Sequence, residues 1–316
     1  MIELRESEAN FAGFRFASGE IADVRLRYAT AGTPGRDAVL MLHWTGGSMH
    51  SLLTPEFVEA LHAPGRPLSA DEHFLVFVDN LGHGASSKPS DGLRARFPRY
   101  CYRDMIELQR KVVREVLGIR KLRIVVGISM GAMHAWMWAE AWPDEVEAIV
   151  PVVAMPMRIS GRNLLWRRIV SRQIRGDPEW LGGEYRKSPR GFVEAYPILR
   201  MMLHGVPQLQ ELAPDVAAAD RFIDGAAREA EGLDANDLLY ALEASEDYDP
   251  VPERIAPQVL AINFADDEFN PLLLVKSLIY RVPNGRLVVL PGGSGHLTHG
   301  KPALWADRLR ELADRE

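Results

Sequence analysis

The sequence predicts an α/β fold in which a mostly parallel central sheet, flanked by helices, carries an inserted helical cap. In the first half of the chain, apolar segments of strand length alternate with segments of helical spacing, an order that favours parallel strands with right-handed crossovers. The alternation breaks near Met155, and strands return only after about residue 245. We therefore predict a core domain of residues 1–155 and 246–316 and a helical cap of residues 156–245.

Composition limits the class of protein. The chain has 316 residues, 47% of them apolar, which is enough for a large core. The net charge of −6 and the absence of a compact basic stripe argue against a nucleic-acid partner. Cys101 is the only cysteine, so no intrachain disulfide is available and a reducing compartment fits. No signal-peptide pattern and no run of transmembrane length occurs, so we expect a cytoplasmic protein without a membrane partner.

The individual elements follow from hydrophobic periodicity. Residues 24–30 alternate apolar and polar side chains, as a half-buried strand does, and longer apolar runs are typical of central strands. We place the other strands at residues 38–42, 74–78, 124–126, 148–153, 259–264 and 287–290. Helical spacing predicts helices at residues 54–61, 104–117 and 131–142, around 164–174, 191–203 and 234–244 in the cap, and from about Pro302 at the end.

The most informative motif is the sequence G-I-S-M-G at residues 127–131, between an apolar run and a helix-length segment. Strand, sharp turn and helix form the context of a nucleophile elbow. The turn brings backbone close to backbone, so a Cβ at Gly127 or Gly131 would clash. Ser129 is left exposed at a helix N-terminus, where free N–H groups favour developing negative charge. The motif therefore predicts Ser129 as a nucleophile.

A serine hydroxyl needs an adjacent base, and the base needs an orienting group. Asp267 follows the strand at 259–264, and His296 follows the strand at 287–290, in the order expected after an elbow serine. Because both follow parallel strands, we expect them to meet Ser129 at one edge of the sheet. A helix N-cap role for Asp267 ahead of Pro271 is compatible with this assignment.

Several neighbours compete for these roles. Asp266, or less favourably Glu268, is an alternative acid, and His299 is an alternative base. His296 and His299 lack a nearby third ligand, so we expect no metal and no cofactor. His83 precedes Ser129 in the chain, the wrong order for this base, and we interpret it as a structural loop histidine.

An oxyanion formed at Ser129 requires preorganised N–H donors. Met130, the residue after the nucleophile, offers one, and the loop H-W-T-G-G-S after the strand at 38–42 should supply the other. We assign that second donor to Thr45, with Trp44 beside it. The alternative is an ordinary glycine turn with Trp44 as core filler.

The chain resembles the α/β-hydrolase superfamily, and within it the homoserine O-acetyltransferase-like branch. The core resemblance rests on H-W-T-G-G, D-N-L-G-H-G-A-S, G-I-S-M-G and the late G-H, and the branch resemblance on R-Y-C-Y-R-D-M-I-E-L-Q, S-M-G-A-M-H-A, G-D-P-E-W-L-G-G-E-Y and L-D-A-N-D-L-L-Y-A-L-E. The resemblance implies an α/β-hydrolase fold. Its D-x-x-x-P acid pattern maps onto Asp267 to Pro271, and its glycine-preceded histidine maps onto His296.

The resemblance also has departures. The family usually has G-G-S-M-G-G, where this chain has Ile128 and Ala132 at the second and last positions. An arginine that helps to bind the amino-acid substrate in homoserine acetyltransferases corresponds to Ser171, with Arg172 adjacent. A serine supplies no charge for a carboxylate, so we expect water rather than homoserine as the acyl acceptor.

These observations predict a serine-nucleophile acyl-transfer enzyme, foremost a carboxylic ester hydrolase that acts through an acyl-serine intermediate. The alternatives are an O-acyltransferase that uses acyl-CoA and a non-catalytic ligand receptor on the same fold. The expected partner is a small-molecule ester or acyl donor, and the resemblance implies a possible homodimer. The aromatic and methionine side chains of the cap, among them Trp166 and Met201, suggest apolar surface over the site.

Overall fold

The computed structural model describes residues 2–313, in which eight strands form one sheet. The strands are β1 (Leu4–Arg15), β2 (Ile21–Ala31), β3 (Asp37–Leu42), β4 (His73–Val78), β5 (Leu122–Ile128), β6 (Val146–Val152), β7 (Gln258–Phe264) and β8 (Gly285–Leu290). Their order is β1-β2-β4-β3-β5-β6-β7-β8. β2 is antiparallel to both of its neighbours, and the pairs from β4 to β8 are parallel. The mostly parallel sheet predicted from the sequence is confirmed.

The central strands are buried on both faces because they are apolar at consecutive positions. In β3, Leu40 and Leu42 belong to the core on one face, and Val39 and Met41 belong to the core on the other. This division follows from the two-residue period of a strand. Helices cover both faces of the sheet. Because the strands from β4 to β8 are parallel, their carboxyl ends lie at one edge of the sheet.

The hydrophobic pattern does not predict the first strand. β1 pairs with β2 in a long antiparallel ribbon at the edge of the sheet, with a register shift between Phe11 and Phe14. Most of its residues are exposed or half-buried, and Ala9 is its one fully buried position among those described. An edge strand with so little buried surface leaves a weak hydrophobic pattern in the sequence.

Within residues 2–313, five α-helices flank the sheet in the core part of the chain. They are α1 (Pro55–Phe57), which continues as a π-helical turn over Val58–His62, α2 (Tyr102–Lys111), α3 (Met130–Ala141), α9 (Leu272–Ile279) and α10 (Arg310–Ala313). The sequence pattern does not predict α9. The helix expected from Pro302 is instead a pair of 3-10 turns, Pro302–Leu304 and Ala306–Leu309, before the short α10.

Between β6 and β7 the described chain is helical and contributes no strand to the sheet. This stretch contains α4 (Gly161–Gly176), α5 (Arg190–Leu203), α6 (Val206–Leu212), α7 (Val216–Glu231) and α8 (Ala235–Glu243). The sequence pattern does not predict α6 and α7, and α7 buries only the small side chains of Ala218, Ala226 and Ala230. A buried face of alanines gives little hydrophobic contrast. The boundaries of the cap at residues 156–245 stay a prediction.

The helices of this stretch share an apolar core of their own. Trp166, Phe192 and Leu239 are buried in it, and Phe269, from the loop after β7, joins them. The Trp166 and Phe269 rings are stacked, with centroids 5.6 Å apart. This contact connects the helices to the loop that carries Asp267.

Candidate active site

Ser129 follows β5 directly and precedes α3, as the elbow motif predicts. Its backbone has φ 54° and ψ −110°, a region that non-glycine residues rarely adopt. A Cβ on Gly127 would lie 2.0 Å from the Gly131 carbonyl oxygen, and one on Gly131 would lie 2.3 Å from that of Leu42. The two glycines therefore permit the tight turn. Strain of this kind costs about 1–3 kcal/mol and is typical of functional sites.

The three side chains singled out in the sequence form a continuous hydrogen-bonded chain. His296 Nε2 lies 2.9 Å from Ser129 Oγ, and His296 Nδ1 lies 2.9 Å from Asp267 Oδ2. Asp267 and His296 are each 3% exposed, whereas Ser129 is half-buried. In this geometry Nδ1–H donates to the carboxylate, which leaves Nε2 free to accept the serine proton.

The loop after β7 holds the Asp267 carboxylate in place. Oδ1 accepts from the backbone N–H groups of Phe269 (2.8 Å) and Asn270 (3.2 Å), and Oδ2 also accepts from Asn270 Nδ2 (2.9 Å). Burial raises the pKa of Asp267, but the charge interaction and hydrogen bond with His296, together with the loop donors, outweigh it and lower that pKa. Asp267 thus remains ionised. Helix α9 begins after Pro271 without a side-chain cap, so Asp267 does not take the alternative role of N-cap to this helix.

The rival acids have other partners. Asp266 Oδ2 accepts from the backbone N–H groups of Gly293 (2.8 Å) and Gly295 (3.0 Å), which shapes the loop that carries His296. Glu268 forms an ion pair with Arg162. Neither carboxylate is hydrogen-bonded to His296 among the contacts of residues 2–313.

The two rival bases, His299 and His83, are both buried. The His299 ring packs 4.8 Å from that of Trp44 and 5.5 Å from that of His296, and burial lowers its pKa to about 3. His83 is buried with Nδ1 3.1 Å from the Leu81 carbonyl oxygen, and burial lowers its pKa to about 3 as well. Both rings stay neutral at pH 7. Within the described chain neither contacts Ser129 by a hydrogen bond.

The loop after β3 lies beside the nucleophile. His43 Nε2 accepts from the Asn80 backbone N–H (3.1 Å), so its Nδ1–H donates to the Trp44 carbonyl oxygen (2.8 Å). Burial lowers the pKa of His43 to about 4, which keeps the ring in this neutral form. Gly47 N–H donates to the same Trp44 carbonyl (2.9 Å) and closes a tight turn around Thr45.

The Met130 and Thr45 N–H groups are the two donors predicted to stabilise an oxyanion. Met130 is the first residue of α3, where N–H groups lack intrahelical acceptors. Trp44 and Thr45 line the same cavity as Ser129, and Trp44, which is half-buried, also packs against the core. The assignment of the Thr45 and Met130 N–H groups as donors stays a prediction.

A cavity of about 410 Å³ lies over Ser129, between the loops of the sheet and helices α4, α5, α7 and α8. It is lined by Trp44, Thr45, Gly46, Ser129, Trp166, Arg167, Tyr196, Leu199, Arg200, Leu203, Glu229, Leu233, Leu238, Phe269, His296, Leu297, His299 and Gly300. Most of these groups are apolar, and the polar ones lie at two places, the Ser129 end and a wall formed by the helices. Such a cavity suits a small, mostly apolar ligand with a few polar anchors.

The sequence pattern does not predict which arginines line this wall of the cavity. Ser171 is buried in α4 but does not line the cavity, and Arg172 is exposed. Arg167, one helical turn before Ser171, lines the cavity instead, as does Arg200 from α5. Among the cap side chains expected to form apolar surface over the site, Trp166 lines the cavity, whereas Met201 is 46% exposed. The signal available in the sequence is the position of Arg167 within the buried stripe of α4.

Within residues 2–313 no group of three or more His, Cys, Asp or Glu side chains is arranged to hold a metal ion. The same part of the chain contains no helix that is long and apolar enough to cross a membrane.

Comparison with known proteins shows the family to which the sequence is similar. The family model for the alpha/beta hydrolase fold matches residues 37–301. A probable acyltransferase of Methanothermobacter thermautotrophicus is 29% identical over 309 residues, which cover 94% of each chain. A homoserine O-acetyltransferase of Thermobifida fusca is 28% identical over 88% of this chain and 85% of its own.

Solved structures agree on the fold. A homoserine O-acetyltransferase from Bacillus anthracis superposes with a TM-score of 0.88 at 20% identity, over 100% of this chain and 99% of its own. An acetylester hydrolase from Corynebacterium glutamicum superposes with a TM-score of 0.85 at 20% identity, over 98% and 96%. Given the sheet order, the elbow at Ser129 and the match to the family model, the chain belongs to the α/β-hydrolase fold family, and its similarity to acyltransferases supports the homoserine acyltransferase-like branch.

Proposed function

We propose that this protein is a serine-nucleophile acyl-transfer enzyme, foremost a carboxylic ester hydrolase. The observation that carries the proposal is the chain Ser129 Oγ–His296 Nε2–Asp267, with 2.9 Å at each contact, at the base of a mostly apolar cavity. A hydroxyl on a strained turn, a neutral imidazole acceptor and a buried carboxylate are the parts that activate serine. A receptor on the same fold needs no such set, which speaks against the non-catalytic alternative.

In the acylation step, Ser129 Oγ attacks the ester carbonyl carbon while its proton passes to His296 Nε2. The Met130 and Thr45 N–H groups stabilise the oxyanion of the tetrahedral intermediate. When the intermediate collapses, the carbon–oxygen bond to the alcohol breaks, and His296 gives its proton to the departing alkoxide. Asp267 holds the imidazole orientation and stabilises its transient positive charge.

In the second step, His296 removes a proton from water, whose oxygen attacks the acyl-serine carbonyl. Collapse releases the carboxylic acid, and the proton returns to Ser129 Oγ. We favour water on the resemblance, in which a substrate-binding arginine corresponds to Ser171, although Ser171 itself does not line the cavity. The second candidate, an O-acyltransferase with an acyl-CoA donor, is supported by the two guanidinium groups in the cavity wall and by the similarity to acyltransferases.

The test is turnover of a simple activated ester, p-nitrophenyl acetate, by the wild type and by Ser129→Ala. The variant should lose at least about 10³-fold in kcat and unfold at an unchanged denaturant concentration, because the change removes one hydroxyl from a turn. Near wild-type turnover by Ser129→Ala would disprove the nucleophile. Incubation with acetyl-CoA and homoserine separates the two candidates, since a hydrolase releases acetate and a transferase forms O-acetylhomoserine faster than acetate.

Assembly as a homodimer, the absence of nucleic-acid and membrane partners and a cytoplasmic location stay predictions.

A further inference from the structure

One buried cation in the cavity wall has only neutral partners. Arg167 is 6% exposed; its Nε donates to Asn163 Oδ1 (3.0 Å) and its Nη1 to Ser245 Oγ (3.2 Å). Its guanidinium carbon lies 4.9 Å from the centre of the Trp166 ring. Among the ion pairs of residues 2–313, none joins Arg167 to a carboxylate within 4.0 Å.

The other charges of the cavity are already matched. Arg200 Nε lies 3.2 Å from Glu229 Oε2, and the Tyr196 hydroxyl donates to Glu229 Oε1 (2.8 Å). Arg200 and Glu229 therefore balance each other. Asp267, behind His296, does not line the cavity. Arg167 leaves the described lining with one positive charge that no protein group neutralises.

An unmatched buried charge is costly, so such a group is expected to have a partner that the chain itself does not supply. A guanidinium has five N–H donors, and the contacts above use one on Nε and one on Nη1. Burial lowers the pKa of Arg167, and the neighbouring Tyr102 hydroxyl acts the other way, so the side chain stays charged at pH 7. The remaining donors form a fork of the shape that binds a carboxylate through two parallel hydrogen bonds.

Neighbouring groups also fix the orientation of this fork. Asn163 Oδ1 accepts from both Arg167 Nε and Trp166 Nε1 (3.2 Å), and Ser245 Oγ in turn donates to the Leu242 carbonyl oxygen (2.7 Å). A guanidinium held in this way loses little conformational entropy when an anion binds. This is the arrangement of a prepared binding group rather than of a surface arginine.

We propose that Arg167 is an anion-binding residue of the Ser129 cavity and selects substrates that carry a carboxylate besides the reacting ester. This inference deepens the proposed function and rests on it. The carboxylate belongs either to the acyl part, as in a monoester of a dicarboxylic acid, or to the alcohol part, as in the acetyl ester of a hydroxy acid. Both present the same group to Arg167.

The competing explanation is that Arg167 only joins α4 to the turn that contains Ser245. Arg167 also borders a second depression, together with Arg168 and Glu246, away from Ser129. A purely structural role, or an anion bound in that depression, would leave the choice between charged and neutral esters unchanged.

The first experiment uses the wild-type protein, so it does not depend on the folding of a variant. The values of kcat/KM are compared for 4-acetoxybutanoate and its amide, 4-acetoxybutanamide, and for monoethyl succinate and ethyl succinamate. Each pair differs only in the charge at the distal group. A bidentate charge-assisted contact should favour the carboxylate of one pair by roughly ten- to a hundred-fold. The pair that responds identifies the side of the ester that faces Arg167.

The second experiment uses Arg167→Gln, with Arg168→Gln as the matched control. Arg168 lies on the same helix, is half exposed and pairs with Glu246 (2.9 Å), so its loss removes the same charge without touching the Ser129 cavity. Arg167→Gln should abolish the preference for the carboxylate, mainly through KM. Arg168→Gln should retain the preference. Arg167→Lys, which keeps the charge but not the fork, should retain part of it.

The outcomes separate this inference from the proposed function. Equal kcat/KM within both pairs in the wild type, or a preference that survives Arg167→Gln, overturns the role of Arg167 even if Ser129-dependent hydrolysis is observed. If the wild type hydrolyses none of the four esters and not p-nitrophenyl acetate either, the proposed ester hydrolysis itself is overturned.

Discussion

The substitution Asp267→Asn tests the arrangement at the site most sharply, because the surroundings dictate how the new amide must sit. Oδ1 accepts from two backbone N–H groups, of Phe269 and Asn270, which cannot become acceptors. The amide oxygen of the new side chain must therefore take the Oδ1 position. Its NH₂ group then takes the place of Oδ2 and faces His296 Nδ1.

An NH₂ group at that place can only donate, so His296 must accept through Nδ1 and carry its proton on Nε2. In that tautomer Nε2 can no longer take the proton of Ser129, 2.9 Å away. The comparable change in a serine protease lowers kcat about 10⁴-fold, which corresponds to about 5.5 kcal/mol of transition-state stabilisation. We expect a loss of that order here, mainly in kcat.

Asp266→Asn is the matched control, one residue away. Its Oδ2 accepts from Gly293 and Gly295, while its Oδ1 is buried without a partner among the described residues, so the amide can place its oxygen on the two N–H groups. Activity should stay within about tenfold of the wild type. The assay is steady-state hydrolysis of p-nitrophenyl acetate, with unfolding curves to show that both variants fold. Equal losses for the two variants, or less than tenfold for Asp267→Asn, would refute the reasoning.

Three further predictions concern the base, the elbow and acid stability. His296→Ala should lose about 10³-fold or more in kcat and His299→Ala little, as judged by ester hydrolysis; comparable losses would reopen the choice of base. Gly131→Ala should cost about 1–3 kcal/mol in denaturant unfolding, because the new Cβ meets backbone, whereas Gly176→Ala, in open space, should cost almost nothing; similar midpoints would contradict this. The free energy of unfolding should fall as the pH is lowered from 6.5 to 4, because the unfolded chain binds protons that the buried histidines exclude. His43 alone should lower it by about 2 kcal/mol at pH 5. A flat pH profile would contradict this prediction. The histidines involved are His43, His62, His83, His134 and His299.

The sequence alone is sufficient to predict which three positions of the chain come together at the site. Ser129, Asp267 and His296 lie far apart in the chain, yet each follows an apolar run with the pattern of a strand. Parallel strands end at a common edge, so strand order by itself predicts that the three positions meet. The two glycines of the elbow can be interpreted in the same way, because a tight turn is a local steric matter.

The choice between neighbouring residues is less secure from the sequence. Asp266 and Asp267 differ by one position, and only the resemblance to a family favours the second. In the folded chain, the backbone donors of Phe269 and Asn270 aim Asp267 at His296, while Asp266 turns to the N–H groups of Gly293 and Gly295. The direction in which each carboxylate points depends on loop geometry, and loop geometry leaves no periodic pattern in the sequence.

Tertiary structure alone decides which charges face the cavity. By sequence, Arg167 is one of several arginines on a basic helix, and the residue expected to matter there is Ser171. Whether an arginine is exposed or buried depends on what packs against its face of the helix. Here Asn163, Trp166 and Ser245 enclose Arg167, while Leu165, on the same helix, is 62% exposed. The sequence determined where Ser129, Asp267 and His296 lie, because these positions follow from strand ends and a turn, whereas the charges that face the cavity were decided by side-chain packing between distant helices.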